Sequence, residues 1–273
     1  MSRQITWELI VNILQIPVAM GVVVTAARKT GKSRGLFAAF FIYGMISLVL
    51  EDVYWIAYDL LRPELRMPLA ADEIAGCAVI LLLGSALSTR LGDRRDQKGL
   101  ALILSVVFTF ANTAIWIAWT NEWLQDIVSA VPCVYFMYIL LLGLMNTGAV
   151  GKAERRWAVM AISAVLILYI AGTLVQGAVS DGCYNTGLIL MNIITILLLI
   201  KTVLMPRFGC SNEARLFSAF AVFFYSRLAI YLSWDMFYPI ALFTNILTLP
   251  LMLWSVLAIE EEEKTVRLLE GLE

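Results

Sequence analysis

The chain has 273 residues, 61% of them hydrophobic and only 15% charged, with a mean hydropathy of +0.83. Soluble domains carry about a quarter charged residues, so this composition excludes a soluble globular class and points to a polytopic membrane protein. The chain lacks histidine, which excludes His-ligated haem, His-based zinc sites and every His-dependent triad, and a net charge of -1 gives no basic face for nucleic acid.

A spanning helix needs about 20 mostly apolar residues. Nine runs qualify, at 5–27, 36–60, 69–89, 100–120, 127–148, 157–178, 187–205, 216–234 and 238–259. The first reads as a span rather than a cleavable leader, because Glu8 and Asn12 interrupt it, only Arg3 precedes it and no A-x-A site follows. The eighth and ninth are barely separated, around Asp235 and Pro239, and Arg227 interrupts the eighth, so hydropathy alone leaves an eight-span reading open.

Basic residues test the count, since cytoplasmic loops hold the Lys and Arg. Arg28, Lys29, Lys32 and Arg34 follow the first run; Arg90, Arg94, Arg95 and Lys98 follow the third. Lys152, Arg155 and Arg156, then Lys201, Arg207 and Arg215, then Lys264 and Arg267, bring that side to 16 of the 20 basic residues. Arg3, Arg62 and Arg66 alone fall on the other. The N-terminus is therefore expected outside and the C-terminus in the cytoplasm, an odd number of spans in a plasma or inner membrane. The expected fold is an all-α polytopic transmembrane bundle in the lipid bilayer, with one membrane domain at 1–259 and a short acidic cytoplasmic tail at 260–273. Connections this short leave no room for a soluble catalytic domain between helices, so function is expected within the membrane.

After the first helix the chain divides into four hairpins. Trp55-Ile56-Ala57, Trp116-Ile117-Ala118 and Tyr169-Ile170-Ala171 recur near one surface, with Tyr231-Leu232-Ser233 as a looser fourth. The stretch 80–84 (ILLLG) recurs at 139–143, and Leu36-Phe37 with its followers at 216–220. The pattern is that of one helix plus four parallel hairpin repeats, set against the ordinary recurrence of Leu runs and aromatic belts.

Acids gather toward the outward half: Glu8, Glu51, Asp52, Asp59, Asp72 and Glu73. Glu51 lies fifteen residues into its helix, a rise of about 22 Å at about 1.5 Å per residue, below the interface. A carboxylate at that depth must face the protein interior, be protonated or find a cation. Arg227, near mid-membrane and unable to shed its proton, is the expected partner of Glu51 or Asp52 if the second and eighth helices are neighbours. Adjacent residues point about 100° apart, so Glu51 and Asp52 are not expected to face one neighbour together.

Other intramembrane polar residues are Asn12 and Gln15 on one face of the first helix, then Asn112, Asn146, Asn192, Thr244 and Asn245, which singly read as interhelical hydrogen bonds. Pro17, Pro132 and Pro250 are expected to kink spans one, five and nine. Cys77, Cys133, Cys183 and Cys210 are spaced without a C-x-x-C pair and read as apolar fillers rather than a metal or redox framework. The tail opens with four glutamates at 260–263, followed by Val266, Leu268, Leu269 and Leu272, read as a solvated stub or as a docking helix for a cytoplasmic signalling partner or second copy.

Chemistry is nearly silent. No H-E-x-x-H or phosphate loop occurs, no His is present to serve a serine nucleophile, no cofactor is implied, and any general base has to be a carboxylate. The leading expectation is a small permease whose outward site, built from Glu51, Asp52, Asp72, Glu73, Arg227, Trp55 and Asn12, takes a cation or organic amine through charge and cation–π contacts. The alternatives are a membrane sensor that binds a small ligand and signals through its tail, and an intramembrane lipid-modifying enzyme.

Overall fold

A computed structural model describes residues 3–30, 35–61, 70–91, 98–120, 123–149, 151–233 and 237–270. Among the described residues the protein is all-helical: α1 (Arg3–Thr30), α2 (Leu36–Leu61), α3 (Ala71–Ser88), α4 (Lys98–Thr120), α5 (Trp123–Asn146), α6 (Lys152–Leu174), α7 (Ala178–Leu204), α8 (Asn212–Leu232) and α9 (Phe237–Glu270). A 3₁₀ turn, Met205–Phe208, joins α7 to α8. All nine helices are long and apolar enough to cross a membrane, which makes the chain a multi-pass membrane protein in build. The side chains of Trp7, Glu8, Asp59, Trp119, Glu122, Trp234 and Asp235, and of Arg62 and Arg66, lie outside the described residues.

α5, α7 and α9 extend well past their apolar runs. α5 begins at Trp123 and α7 at Ala178, taking in the short polar stretches that precede those runs. α9 continues through the acidic run to Glu270.

Packing follows from where the helices can touch. α2 lies against α1 and α3, α3 against α5, α5 against α8, α8 against α9, and α9 returns to α1, closing a ring. α6 pairs with α7 and touches α4. α8 is the least apolar of the nine, with a mean hydropathy of 1.3 against 2.5 for α7, yet it is the most buried. Protein rather than lipid surrounds it, so it tolerates the polarity that makes it a weak span by hydropathy.

Close approach between helices uses glycine. A Cβ on Gly44 would lie 2.7 Å from Leu83 Cδ2, and one on Gly84 would lie 2.8 Å from Tyr135 Cε1, so α2, α3 and α5 sit closer than larger residues allow. A Cβ on Gly143 would stand 2.0 Å from Phe217 Cδ1 and Cε1, a direct clash with the ring. Hydroxyls along the spans bond back to their own helices, as Thr195 Oγ1 does to the Met191 carbonyl at 2.7 Å.

One end of the protein is tied by charge. Arg90 Nη1 bonds Glu263, and its Nη2 lies 4.0 Å from Glu213, so the end of α3, the start of α8 and the acidic run of α9 are joined. Lys264 Nζ donates to the Lys29 carbonyl at 3.1 Å, and Asn212 Nδ2 to Glu262 Oε2 at 3.0 Å. Nearby, Lys201 Nζ donates to Glu154 Oε2 at 2.9 Å, and the Gly151 N–H to the same oxygen at 3.0 Å. The Lys201 hydrogen bond, then the Gly151 N–H, hold the Glu154 carboxyl below the usual carboxylate range.

Gly143→Ala is expected to lower stability by about 1–3 kcal/mol through overpacking, while Gly21→Ala, whose Cβ meets nothing within 4 Å, leaves it unchanged or raises it. Thermal unfolding in detergent compares the two. Because the folded Glu154 has the lower pKa, its contribution is complete above the unfolded value of about 4.3 and is lost as pH falls through the folded one. Hydrogen-exchange protection at the start of α6, taken relative to the intrinsic rate at each pH, should therefore fall on acidification below the unfolded value of about 4.3, and Glu154→Gln should remove that step.

Candidate ligand cavity

Glu51 and Arg227 each lie fifteen residues into their helices, ten residues before the end of α2 and five before the end of α8. Arg227 Nη2 donates to Glu51 Oε1 at 2.5 Å and to Tyr231 Oη at 2.7 Å; Tyr231 Oη donates to Glu51 Oε1 at 3.2 Å. Tyr231 is one turn beyond Arg227 and Phe223 one turn before it, so helical spacing alone puts both rings beside the guanidinium, at 5.5 and 5.9 Å. The side chains of Arg227 and Glu51 are 7% and 13% exposed. Both charges are thus withdrawn from solvent, and each is held by the other. α3 makes room for the carboxylate: a Cβ at Gly76 would stand 3.0 Å from Glu51 Oε1.

Beside this pair lies a cavity of about 380 Å³. Six helices contribute to its wall: α2, α3, α4, α5, α8 and α9. Its carboxylates are Glu51, Asp72, Glu73 and Asp126, and Arg227 is the one guanidinium among the described lining residues. Asp72, Glu73 and Asp126 occupy the first turns of α3 and α5, where the positive end of the helix dipole favours acids. Gln125 Nε2 donates to Glu73 Oε1 and links those two helix starts. Rings complete the wall: Trp116 meets Tyr231 edge-on at 5.2 Å, and Trp55 stacks on Tyr238 at 6.4 Å.

The residues singled out in the sequence separate into two groups. Glu51, Asp72, Glu73, Arg227 and Trp55 line the cavity. Asp52 and Asn12 do not: one position on from Glu51, Asp52 points toward α1 and accepts a hydrogen bond from Gln15 Nε2 at 3.1 Å. Asn12 Oδ1 accepts from Tyr238 Oη at 3.3 Å, so Asn12 reaches the wall only through a residue that lines it. α2 and α8 are neighbours through long side chains, Arg227 to Glu51 and Phe41 to Phe220 with ring centroids 6.1 Å apart.

Sequence reasoning passed over Asp126 and Gln125, which precede the apolar run of the fifth span, and gave Asn112 no ligand role. The available signal was their position: a polar pair immediately before a span at the same end as Asp72 and Glu73. Cys77 and Cys133 also line the cavity, and Cys77 Sγ lies 3.8 Å from Ser129 Oγ. No group of three or more acids and cysteines converges as a metal site among the described residues.

Arg227→Leu and Glu51→Leu are each expected to destabilise the protein by about 3–5 kcal/mol, because each leaves a buried charge without its partner. The double substitution should cost less than either alone, since it removes both charges together. A double-mutant cycle on unfolding in detergent checks this; additive losses would show that the pair is not coupled. Comparison with protein-family models, curated proteins and solved structures finds no match.

Proposed function

We propose that the protein is a small membrane carrier for an organic amine or related cation. The observation that supports this reading most directly is the cavity itself, in which four carboxylates and a set of aromatic rings face one guanidinium that is already engaged by Glu51. A cation entering there meets carboxylates and ring faces, both attractive to it. The cavity reaches from the α3 and α5 starts to mid-helix, and below it Phe136 and Phe224 pack at 4.9 Å. A site that ends at mid-helix against packed rings suits one of the two states that alternating access requires.

In this reading the acidic end faces outward and the end bearing Arg28, Arg90, Lys201 and Lys264 faces the cytoplasm of a plasma or inner membrane. The architecture is one helix followed by parallel hairpin repeats. In support, the matching glycines Gly84 and Gly143 each receive an aromatic ring from a neighbouring helix. A second reading, a ligand sensor, draws on α9, which carries Tyr238 at the cavity and Glu263 at the opposite end on one helix.

Counterflow in proteoliposomes, with thermal shift on the same preparations, separates these readings. A carrier exchanges labelled amine across the membrane, and Asp126→Asn weakens amine binding by about tenfold or more, the loss expected for one hydrogen bond to a charged group. Stabilisation by amine without exchange would replace the carrier by the sensor. Neither signal with any amine would overturn both and leave the lipid-modifying enzyme.

A further inference from the structure

The cavity is polarised along its depth. On α3 the lining runs from Asp72 and Glu73 through Gly76 and Cys77 to Ile80. On α5 it runs from Gln125 and Asp126 through Ser129 and Ala130 to Cys133. α4 and α8 run the other way and bring Phe108 and Phe224 to the same depth as Ile80 and Cys133. Four helices therefore place Asp72, Glu73, Asp126 and the rings of Trp116 and Tyr231 toward one end of the cavity and mainly apolar groups at the floor, where Thr109 beside Phe108 is the polar exception and Asn112 stands one turn above it. The distance between the two levels is eight residues of α3, about 12 Å. Halfway down, Glu51 and Arg227 neutralise one another and are largely covered, so the wall opposite Cys77 and Ala130 carries little uncompensated charge.

An inorganic cation gains nothing from such a floor, and a small ammonium would leave it empty. A molecule with a charged head and an apolar body fits both levels at once. We propose that the ligand is an amphiphilic primary amine, alkyl or arylalkyl, that enters tail first, its ammonium held at the mouth by Asp72, Glu73 and Asp126 and its body resting on Ile80, Phe108 and Phe224. This rests on the reading of the cavity as a cation site and adds the class of cation and its orientation.

The test measures binding of a straight-chain series from methylammonium to octylammonium, with phenylethylammonium, potassium and calcium, to the full-length protein in detergent. Affinity should rise about fourfold per methylene, the factor equivalent to about 0.8 kcal/mol, and level off near six carbons, when the tail reaches the floor. Ile80→Thr should weaken hexylammonium severalfold and leave methylammonium unchanged. The native thiols mark depth: hexylammonium should shield both Cys77 and Cys133 from N-ethylmaleimide, methylammonium neither, with Cys183 and Cys210, which do not line the cavity, as references. Amines that bind with equal affinity at every length, or potassium or calcium binding as well as hexylammonium, would overturn the tail-first assignment and leave the cation site standing. Binding by no cation of either kind would overturn both.

Discussion

A guanidinium keeps its proton at any depth, so the helix that carries Arg227 cannot face lipid. This single constraint organises the rest of the protein. α8 has to be enclosed, and α5, α7 and α9 enclose it. The enclosing helices must supply an acid at the right level, and Glu51 of α2 does so across the gap that the cavity occupies. Because α2 and α8 meet through side chains rather than closely packed backbones, space is left between them. The buried pair and the cavity are therefore two results of one arrangement.

A second polar seam joins the adjoining flank of α2 to α1 and α9. Gln15 holds Asp52, Asn12 receives Tyr238, and Tyr238 stacks on Trp55. Within α8 and α9, Asn245 Nδ2 donates to Ser226 Oγ at 2.7 Å, one residue before Arg227. The Tyr238–Asn12 bond joins the last helix to the first, a contact that apolar packing alone specifies weakly in a solvent as apolar as the side chains. Adjacent residues on α2 thus do different work: Glu51 faces the cavity, and Asp52 fixes the helix to its neighbour.

Much of this was legible in the chain before any coordinates. Run length gives nine helices able to span, and the depth of Glu51 and Arg227 in their helices, with their opposite charge, makes their pairing expected. Part of the site was not. Asp126 sits just outside the apolar window of its helix, and a hydropathy reading assigns it to a loop although the helix begins at Trp123. The rotation that sends Asp52 away from Glu51 is implied by helical geometry, but which of the two faces Arg227 depends on the helix order, which short loops do not encode. The enclosure of α8 runs against its hydropathy for the same reason: low apolarity describes a helix poorly suited to lipid and is silent on which helices shield it.

The length of α9 has a mechanical consequence. Its 34 residues make a rod of about 50 Å, against a hydrocarbon layer of about 30 Å. One end carries Tyr238 at the cavity; at the other, beyond Lys264, Val266, Leu268 and Leu269 stand exposed. Pro250 lies between them and removes one hydrogen bond from the rod, making it the natural pivot. A tilt about that point moves the two ends in opposite directions, with the longer arm on the side away from the cavity. A fluorophore or rigid fusion on that arm would turn a small displacement at Tyr238 into a larger optical or mechanical signal.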